Sequence, residues 1–288
     1  MNILRILTWI LFLGLGSAIN ALSEEGVQTD SRINLIPHSL LFKPLLANTY
    51  EPRVGILSQL GKNQLRLDIG NSIDLLQFNP GRDSSDFSIG ADFFTYTLLR
   101  GERNFHFPVD ASDYFFGINA SYKSLTSFGV MSSRLRISHI SAHFVDGHYD
   151  NTKGEWKDSR YPIVYSREFV DAVVACEPSI LNEALRGYIG GTYLFHVDPA
   201  LAPFTGYAGL EWHRKVNTST NFYVGYQATV MKISGVGYRQ NVQLGAKFGE
   251  WGGRGLNVFA SYFSGFSIHG EYFDTKENYF GLGFLVEF

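Results

Sequence analysis

The residues with the most chemical potential lie in one predicted hairpin. Its first strand places His139, Ser141 and His143 at every second position, so in a regular strand they point to one side. A serine beside a histidine is used in nucleophilic catalysis, with the histidine as base. The spacing argues against this, because residues two apart on a strand are about 6.6–7 Å apart at Cα, whereas a Ser–His hydrogen bond needs roughly 2.6–3.2 Å. Ser141, His139 and His143 remain catalytic candidates that the spacing does not favour, and we lean against an enzyme.

A metal site is favoured still less by the same two histidines. His139 and His143 are four strand positions apart, roughly 13 Å. A shared ion would require each nitrogen at about 2.0–2.1 Å. We expect neither a metal nor a cofactor.

The hairpin also contains charges on both of its predicted faces. In a bacterial barrel an arginine facing lipid at mid-depth costs about 2–4 kcal/mol. A β-bulge near Ser138–His139 would turn both faces of the first strand inward. On the second strand, either another bulge or a position at the membrane interface would accommodate Arg167 beside Glu168. We expect one polar network facing the lumen, made of Arg134, Arg136, His139, His143, Arg167, Glu168 and Asp171.

These residues need strands to position them, and alternation of apolar and polar residues predicts about twelve. In Tyr114–Lys123, for example, Tyr114, Phe116 and Ile118 alternate with Phe115 and Gly117. The other predicted strands are Val54–Leu60, Leu65–Leu75, Phe87–Leu98, Arg134–Val145, Pro162–Cys176, Leu185–His196, Phe204–His213, Phe222–Met231, Gln240–Phe248, Leu256–Phe263 and Tyr279–Phe288. Alternation alone fits a soluble sandwich as well as a membrane barrel.

The last predicted strand favours the barrel. It ends on a phenylalanine and has an aromatic face, which resembles the signal read by the outer-membrane assembly machinery of Gram-negative bacteria. We expect Phe284, Val286 and Phe288 to form that assembly signal. Pairing this strand with the first would remove an aggregation-prone edge. The predicted fold is all-β, a single transmembrane antiparallel barrel of about twelve strands, with the lipid bilayer and the assembly machinery as partners.

The N-terminus predicts export. Residues 1–21 have the form of a cleaved signal peptide, with Arg5 before the apolar run Ile6–Leu15, which is too short to span a bilayer as a helix. We expect residues 22–50 to be a periplasmic segment at the rim or in the mouth of the barrel, and residues 51–288 to be the barrel. A formal net charge of −3 excludes a strongly basic nucleic-acid binder.

Several short motifs resemble an uncharacterised bacterial family of exported barrel-type proteins, which is defined by a domain of unknown function. The motifs are His139-x-Ser141-x-His143 with Asp146, Tyr165-Ser166-Arg167-Glu168-Phe169, Arg186-Gly187-Tyr188, Gly209-Leu210-Glu211, Phe42-Lys43-Pro44-Leu45-Leu46 and Glu51-Pro52-Arg53. The resemblance covers about Leu35 to Phe288. It implies an exported outer-membrane barrel and brings no activity or catalytic residues.

Three functions fit these patterns. The first is a porin-like channel for small solutes. Its pore would be narrow, because the predicted lumen residues are bulky: Phe94, Tyr96, Tyr188, Tyr207, Tyr223 and Phe259. The alternative is a plugged structural or adhesive barrel. The third is a lipid-acting hydrolase, because outer-membrane phospholipases are also twelve-stranded and use serine and histidine on the lipid-facing wall.

Overall fold

The computed structural model describes residues 32–81, 85–181, 184–233 and 235–288. The predicted signal peptide, residues 1–21, lies outside the described residues. Twelve strands form the barrel: β2 (Val54–Gln59), β3 (Gln64–Asn79), β4 (Ser85–Arg100), β5 (Val109–Thr126), β6 (Gly129–Phe144), β9 (Tyr165–Pro178), β10 (Leu185–Asp198), β11 (Phe204–Asn217), β12 (Thr220–Lys232), β13 (Val236–Gly249), β14 (Gly255–Phe266) and β15 (Lys276–Glu287). Three short strands lie outside it: β1 (Arg32–Leu35), β7 (Tyr149–Asp150) and β8 (Glu155–Trp156).

Short 3₁₀ turns interrupt the connections at Arg103–Phe105, Asp146–His148, Lys157–Ser159, Ser179–Leu181 and Gly270–Tyr272. In the described part of the chain no helix has the length and apolar character needed to cross a membrane.

The twelve strands close on themselves, and all neighbours are antiparallel. Strand β15 completes the barrel by pairing with β2, from Gln59 opposite Gly281 to Val54 opposite Val286. Closure satisfies the backbone groups that an open sheet edge would expose. The predicted all-β barrel of about twelve strands is confirmed, and each predicted segment overlaps one barrel strand.

Side chains alternate between the two faces of the wall. On β5, Tyr114, Phe116 and Ile118 are exposed on the outside, whereas Phe115 between them is buried inside. The outer face is apolar around the barrel, as a lipid-facing wall requires. The six bulky residues expected in the lumen, Phe94, Tyr96, Tyr188, Tyr207, Tyr223 and Phe259, are all buried.

The two ends of the barrel differ. The turn end contains the paired residues Val54 and Val286 and connections as short as residues 127–128 and 218–219. The loop end contains the longer connections, residues 101–108, 145–164, 199–203 and 267–275. Outer-membrane barrels have short periplasmic turns and long outer loops, and the two ends of this barrel differ in the same way.

The segment before the first barrel strand lies inside the barrel. We name residues 41–53 the plug segment, because Leu45, Ala47 and Glu51 are fully buried there. Wall side chains on three strands bind it. Asp74 on β3 accepts from the Leu41 amide at 2.8 Å, and Glu211 on β11 accepts from the Leu46 amide at 2.7 Å. Asn241 on β13 donates to the Ala47 carbonyl at 2.9 Å. The plug segment therefore crosses the lumen and does not stay at the rim.

The bulge expected near Ser138–His139 is absent from the structure. Strand β6 pairs in unbroken register with β5 and with β9 through these residues. A bulge lies instead on β10, where the register shifts between Leu194 and His196. An unbroken strand keeps its two-residue period, which decides where the polar residues of the hairpin point.

Candidate functional site

The seven polar residues expected to share the lumen separate onto two faces of the wall. Arg134, Arg136 and Asp171 are buried inside. Arg167 also points inward, where its guanidinium lies 5.0 Å from the ring centroid of Tyr50. The structure instead places His139, His143 and Glu168 on the outward face, since no bulge turns them inward. There are therefore two polar sites, one on each side of the barrel wall.

The inner site is built around a carboxylate of the plug segment. Arg134 donates to both oxygens of Glu51, at 3.0 and 2.5 Å, and Arg136 donates at 3.0 Å. Arg136 also lies 3.0 Å from Asp92 through its Nε. Burial alone would raise the pKa of Glu51, but the two guanidinium groups outweigh it and lower the pKa to about 2. This cluster fixes the plug segment to β6, and sequence reasoning named its arginines without identifying Glu51 as their partner.

Asp171 lies opposite Arg136 in the pairing of β6 with β9, but its hydrogen bonds are made to other strands. It accepts hydrogen bonds from the Thr192 hydroxyl at 2.8 Å and the Tyr207 hydroxyl at 3.0 Å. No ion pair joins it to Arg167 among the described residues, although both lie on β9. The inner polar groups therefore form neighbouring clusters and not one continuous network.

The outer site spans three neighbouring strands. His139 on β6 contacts Glu168 on β9 through Nδ1, 2.6 Å from Oε1. The other carboxylate oxygen contacts Nδ1 of His196 on β10. The β10 bulge brings His196 opposite Glu168. Sequence reasoning missed His196, because a one-residue bulge leaves no signal in a strand that is otherwise regular.

Aromatic side chains surround this outer site. The ring of Phe116 is 4.8 Å from the ring of His139, centroid to centroid. Tyr114, one pair nearer the loop end, lies opposite Ser141. Together with other exposed aromatics toward the loop end they form what we call the loop-end rim: Tyr114, Phe116, Tyr193, Phe195, Phe204 and Tyr238. Aromatic girdles mark the membrane interface in barrels of this kind. The site therefore lies on the loop-end half of the outer wall, beside this rim.

Two serines complete the outer site. Ser141 lies two residues from His139 on the same face of β6, and it pairs with Ser166 on β9. The Ser166 hydroxyl is 3.5 Å from Glu168 Oε1. In the described structure Ser141 makes no hydrogen bond to His139. A serine, a histidine and a carboxylate that orients the histidine are the parts of a serine-hydrolase triad, and such contacts are often loose in an unliganded enzyme.

The residues expected to form an assembly signal lie on β15 and just after it. Phe284 and Phe288 are exposed, and Val286 is half-buried. Phe284 and Val286 pair with Ile56 and Val54 of β2, so they lie at the seam where the barrel closes.

Two cavities lie on opposite sides of the plug segment. The larger, about 280 Å³, opens at the turn end and is lined by residues that include Lys43, His213 and Trp251. The smaller, about 100 Å³, lies toward the loop end beneath Leu201 and Phe273. The plug segment contributes lining residues to both cavities and lies between them.

A closed antiparallel barrel with an apolar outer wall and a polar, filled interior defines an outer-membrane β-barrel. The chain belongs to the family described as Protein of unknown function (DUF1207), whose model matches residues 23–288. No curated protein matches it in sequence.

Solved structures with a similar arrangement include outer membrane phospholipase A from Escherichia coli, with a TM-score of 0.49 and 10% identity over 85% of this chain and 93% of that one. The beta domain of the Bordetella autotransporter BrkA gives a TM-score of 0.43 and 14% identity, over 81% of this chain and 97% of that one. The translocator domain of the autotransporter NalP from Neisseria meningitidis gives 0.38 and 11%, over 98% of this chain and 96% of that one.

Proposed function

We propose that this barrel is a serine hydrolase that cleaves ester bonds of membrane lipids from its outer wall. The observation that supports the proposal is the contact of 2.6 Å between His139 and Glu168 on the lipid-facing side, with Ser141 on the same face. A carboxylate bound to Nδ1 holds the histidine with Nε2 free to act as a base. Ser141 and His139 keep the two-residue spacing of a regular strand, and Glu168 on the neighbouring strand adds a carboxylate that orients the histidine.

The reaction follows from these roles. Ser141 Oγ attacks the ester carbonyl of an acyl chain, and His139 Nε2 takes the serine proton. The imidazolium then donates that proton to the departing alcohol oxygen as the ester C–O bond breaks. A water molecule, deprotonated by the same nitrogen, hydrolyses the acyl-serine and releases the fatty acid. Glu168 stabilises the imidazolium in both steps and stays ionised.

The position of the site suggests lipid as the substrate. Polar residues on a lipid-facing wall cost free energy, so their presence there suggests a function. Ser141 pairs with Tyr114 of the loop-end rim, and a position near the membrane interface suits the ester bonds of glycerolipids. If the barrel's chain ends are periplasmic, the loop end faces outside, and the substrate is a lipid of the outer leaflet.

A narrow channel for small solutes receives less support. The plug segment crosses the lumen, and Glu51 is held by two arginines of β6. Solute flow would require this ion cluster to break. A sealed structural or adhesive barrel is the second candidate, and the plug segment is the observation that favours it.

The test uses the full mature protein, refolded in mixed micelles of a nonionic detergent and a fluorogenic phospholipid. We expect release of fatty acid, and we expect Ser141→Ala to reduce the rate at least about 10³-fold. Ser166→Ala is the matched control, because it removes the cross-strand neighbour of Ser141 and should keep most of the activity. The heat-modifiable gel shift should be the same in all three proteins.

Two results would contradict the proposal. One is an inactive parent protein that shows the heat-modifiable shift and is presented with phospholipid in both micelles and vesicles. The other is an active Ser141→Ala variant. A fluorophosphonate that labels the parent but not Ser141→Ala would identify the nucleophile directly.

A further inference from the structure

In the part of the barrel that the structure describes, two inward-facing arginines have no acidic partner. Arg239 is buried, and its guanidinium donates to the carbonyls of Phe266 at 2.9 Å and Ser267 at 2.7 Å and to the Tyr50 hydroxyl at 3.3 Å. The Nε of Arg167 is buried and has no hydrogen-bond partner. Among the residues that the structure describes, no carboxylate lies within 4.0 Å of either guanidinium.

The other buried arginines of the lumen are paired. Arg66 contacts Asp68 at 2.7 Å, Arg134 and Arg136 contact Glu51, and Arg186 contacts Glu211 at 3.4 Å. Taking a charge out of water without a counter-charge costs several kcal/mol, so lumen cations are normally neutralised. Arg167 and Arg239 therefore leave an excess of positive charge in one place.

That place is a cavity. Both arginines line the space of about 100 Å³ toward the loop end, together with the hydroxyls of Thr192, Thr205 and Thr229. One water molecule needs roughly 10–15 Å³, so the space admits several waters or one small ion. Asp171 is the one carboxylate among the described residues that line it, so it offsets only one of the two positive charges, and its oxygens accept from the hydroxyls of Thr192 and Tyr207.

The plug segment contributes to the same place. Both guanidinium carbons lie near the ring centroid of Tyr50, Arg167 at 5.0 Å and Arg239 at 5.4 Å. Tyr50 thus lies against both unpaired cations. A ligand that neutralises both cations would therefore lie against the plug segment.

We propose that this cavity binds a small phosphate-type oxyanion between Arg167 and Arg239. Guanidinium groups match phosphate oxygens in pairs of hydrogen bonds. Donors line the cavity on several sides, from two arginines and the hydroxyls of Thr205 and Thr229, which suits a tetrahedral anion better than a flat carboxylate. The ligand is free phosphate or a small phosphate monoester. This site is independent of the outer-wall hydrolase, since the barrel wall separates them.

The binding experiment uses the full protein refolded in octyl glucoside, because a detergent with a phosphate headgroup would occupy the site. Inorganic phosphate, glycerol 3-phosphate and acetate are titrated at constant ionic strength, and the unfolding temperature is measured. We expect a saturable rise with phosphate and a weaker effect of acetate. Tighter binding of glycerol 3-phosphate than of phosphate assigns a monoester, and the reverse assigns free phosphate.

The variants locate the site. Arg239→Gln and Arg167→Gln should each weaken phosphate binding at least tenfold, because each removes charge-assisted hydrogen bonds. Lys153→Gln, at an exposed lysine in a loop, is the control for nonspecific attraction and should bind as the parent does. Thr205→Val keeps every charge in place and should weaken binding about fivefold, so it serves if the arginine variants fail to fold.

Three outcomes would overturn this inference. They are a parent protein with no saturable response to phosphate, acetate binding as tightly as phosphate, and unchanged phosphate affinity in folded Arg239→Gln or Thr205→Val.

Discussion

Glu51 and Glu168 are both held by basic side chains, but they lie on opposite sides of the barrel wall. Glu51 is buried in the lumen between Arg134 and Arg136, whereas Glu168 lies on the outer face between His139 and His196. Removing one partner of a buried ion cluster leaves an uncompensated charge, and removing one from an exposed site does not. The two residues should therefore respond very differently to the same substitution.

For Glu51→Gln we expect a loss of about 3–5 kcal/mol in the free energy of unfolding, because two buried arginines lose their anion. Glu168→Gln should change stability by less than about 1 kcal/mol, since its site lies on the outer wall beside the loop-end rim, where a charge changes stability by about 0–1 kcal/mol. The measurement is urea unfolding of each protein in bilayers, with Lys153→Gln as the control. Equal losses for the two glutamates would contradict their placement on opposite faces.

The pKa of Glu51 also predicts a pH dependence. Its folded pKa is lowered to about 2, below its ordinary value, so the folded state binds this proton more weakly than the unfolded state. The contribution of Glu51 is therefore complete above about pH 4.5, and it is lost as the pH falls toward 2. We expect stability to fall over this range in the parent, and Glu51→Gln should show a smaller fall. Identical pH profiles of the two proteins would exclude Glu51 as the source.

At the scale of elements, the strands were predictable and two features that position the sites were not. The strands follow from period-two alternation. This signal is local, so it can be read from a short stretch of sequence without knowing what the stretch contacts. The plug segment has no such period, and its partners Asp74, Glu211 and Asn241 are far away in sequence. The β10 bulge at Leu194–His196 is one extra residue without a glycine or proline to mark it.

The missing bulge on β6 shows how a reasonable energetic argument failed. Charges on both faces of one strand were expected to force a bulge, because polar groups in lipid are costly. The outward set is in fact His139, Ser141 and His143, which contains no obligatory charge and lies beside the loop-end rim. Neutral polar side chains beside the rim cost less free energy than charges would, so β6 keeps its regular pairing.

The plug segment is the element whose removal tests whether the lumen is closed. We expect the parent protein to give no steady conductance in planar bilayers, because residues 41–53 separate the two cavities. Deleting residues 32–50 leaves every barrel strand intact and should give discrete conductance steps. A protein with Lys153→Gln serves as the handling control. Steady conductance in the parent would show that a path through the lumen exists despite the plug.

At the scale of the whole molecule, burial is inverted relative to a soluble protein. Large apolar side chains such as Ile118, Leu244 and Phe284 are exposed, while Asp92, Asp113 and Lys247 are buried. This inversion is stable only where lipid covers the outside, and many of the buried polar groups are paired within the barrel, such as His269 with Asp113 at 2.9 Å. The fold is therefore stable only with its outer wall in a lipid bilayer.

The free-energy cost of an outward-facing charge at two depths tests whether lipid covers the outer wall. Ile118, in the middle of β5, is 55% exposed, and Tyr238, in the loop-end rim, is 59% exposed, so both present similar areas to the surroundings. In a bilayer, Ile118→Arg should lower the free energy of unfolding by about 2–4 kcal/mol, because the charge lies near the midplane, whereas Tyr238→Arg should cost about 0–1 kcal/mol at the interface. In a soluble barrel both positions would face water, and arginine at either would cost little. Unfolding of both variants in phospholipid vesicles, compared with the parent, distinguishes the cases: equal costs would place the outer wall in water.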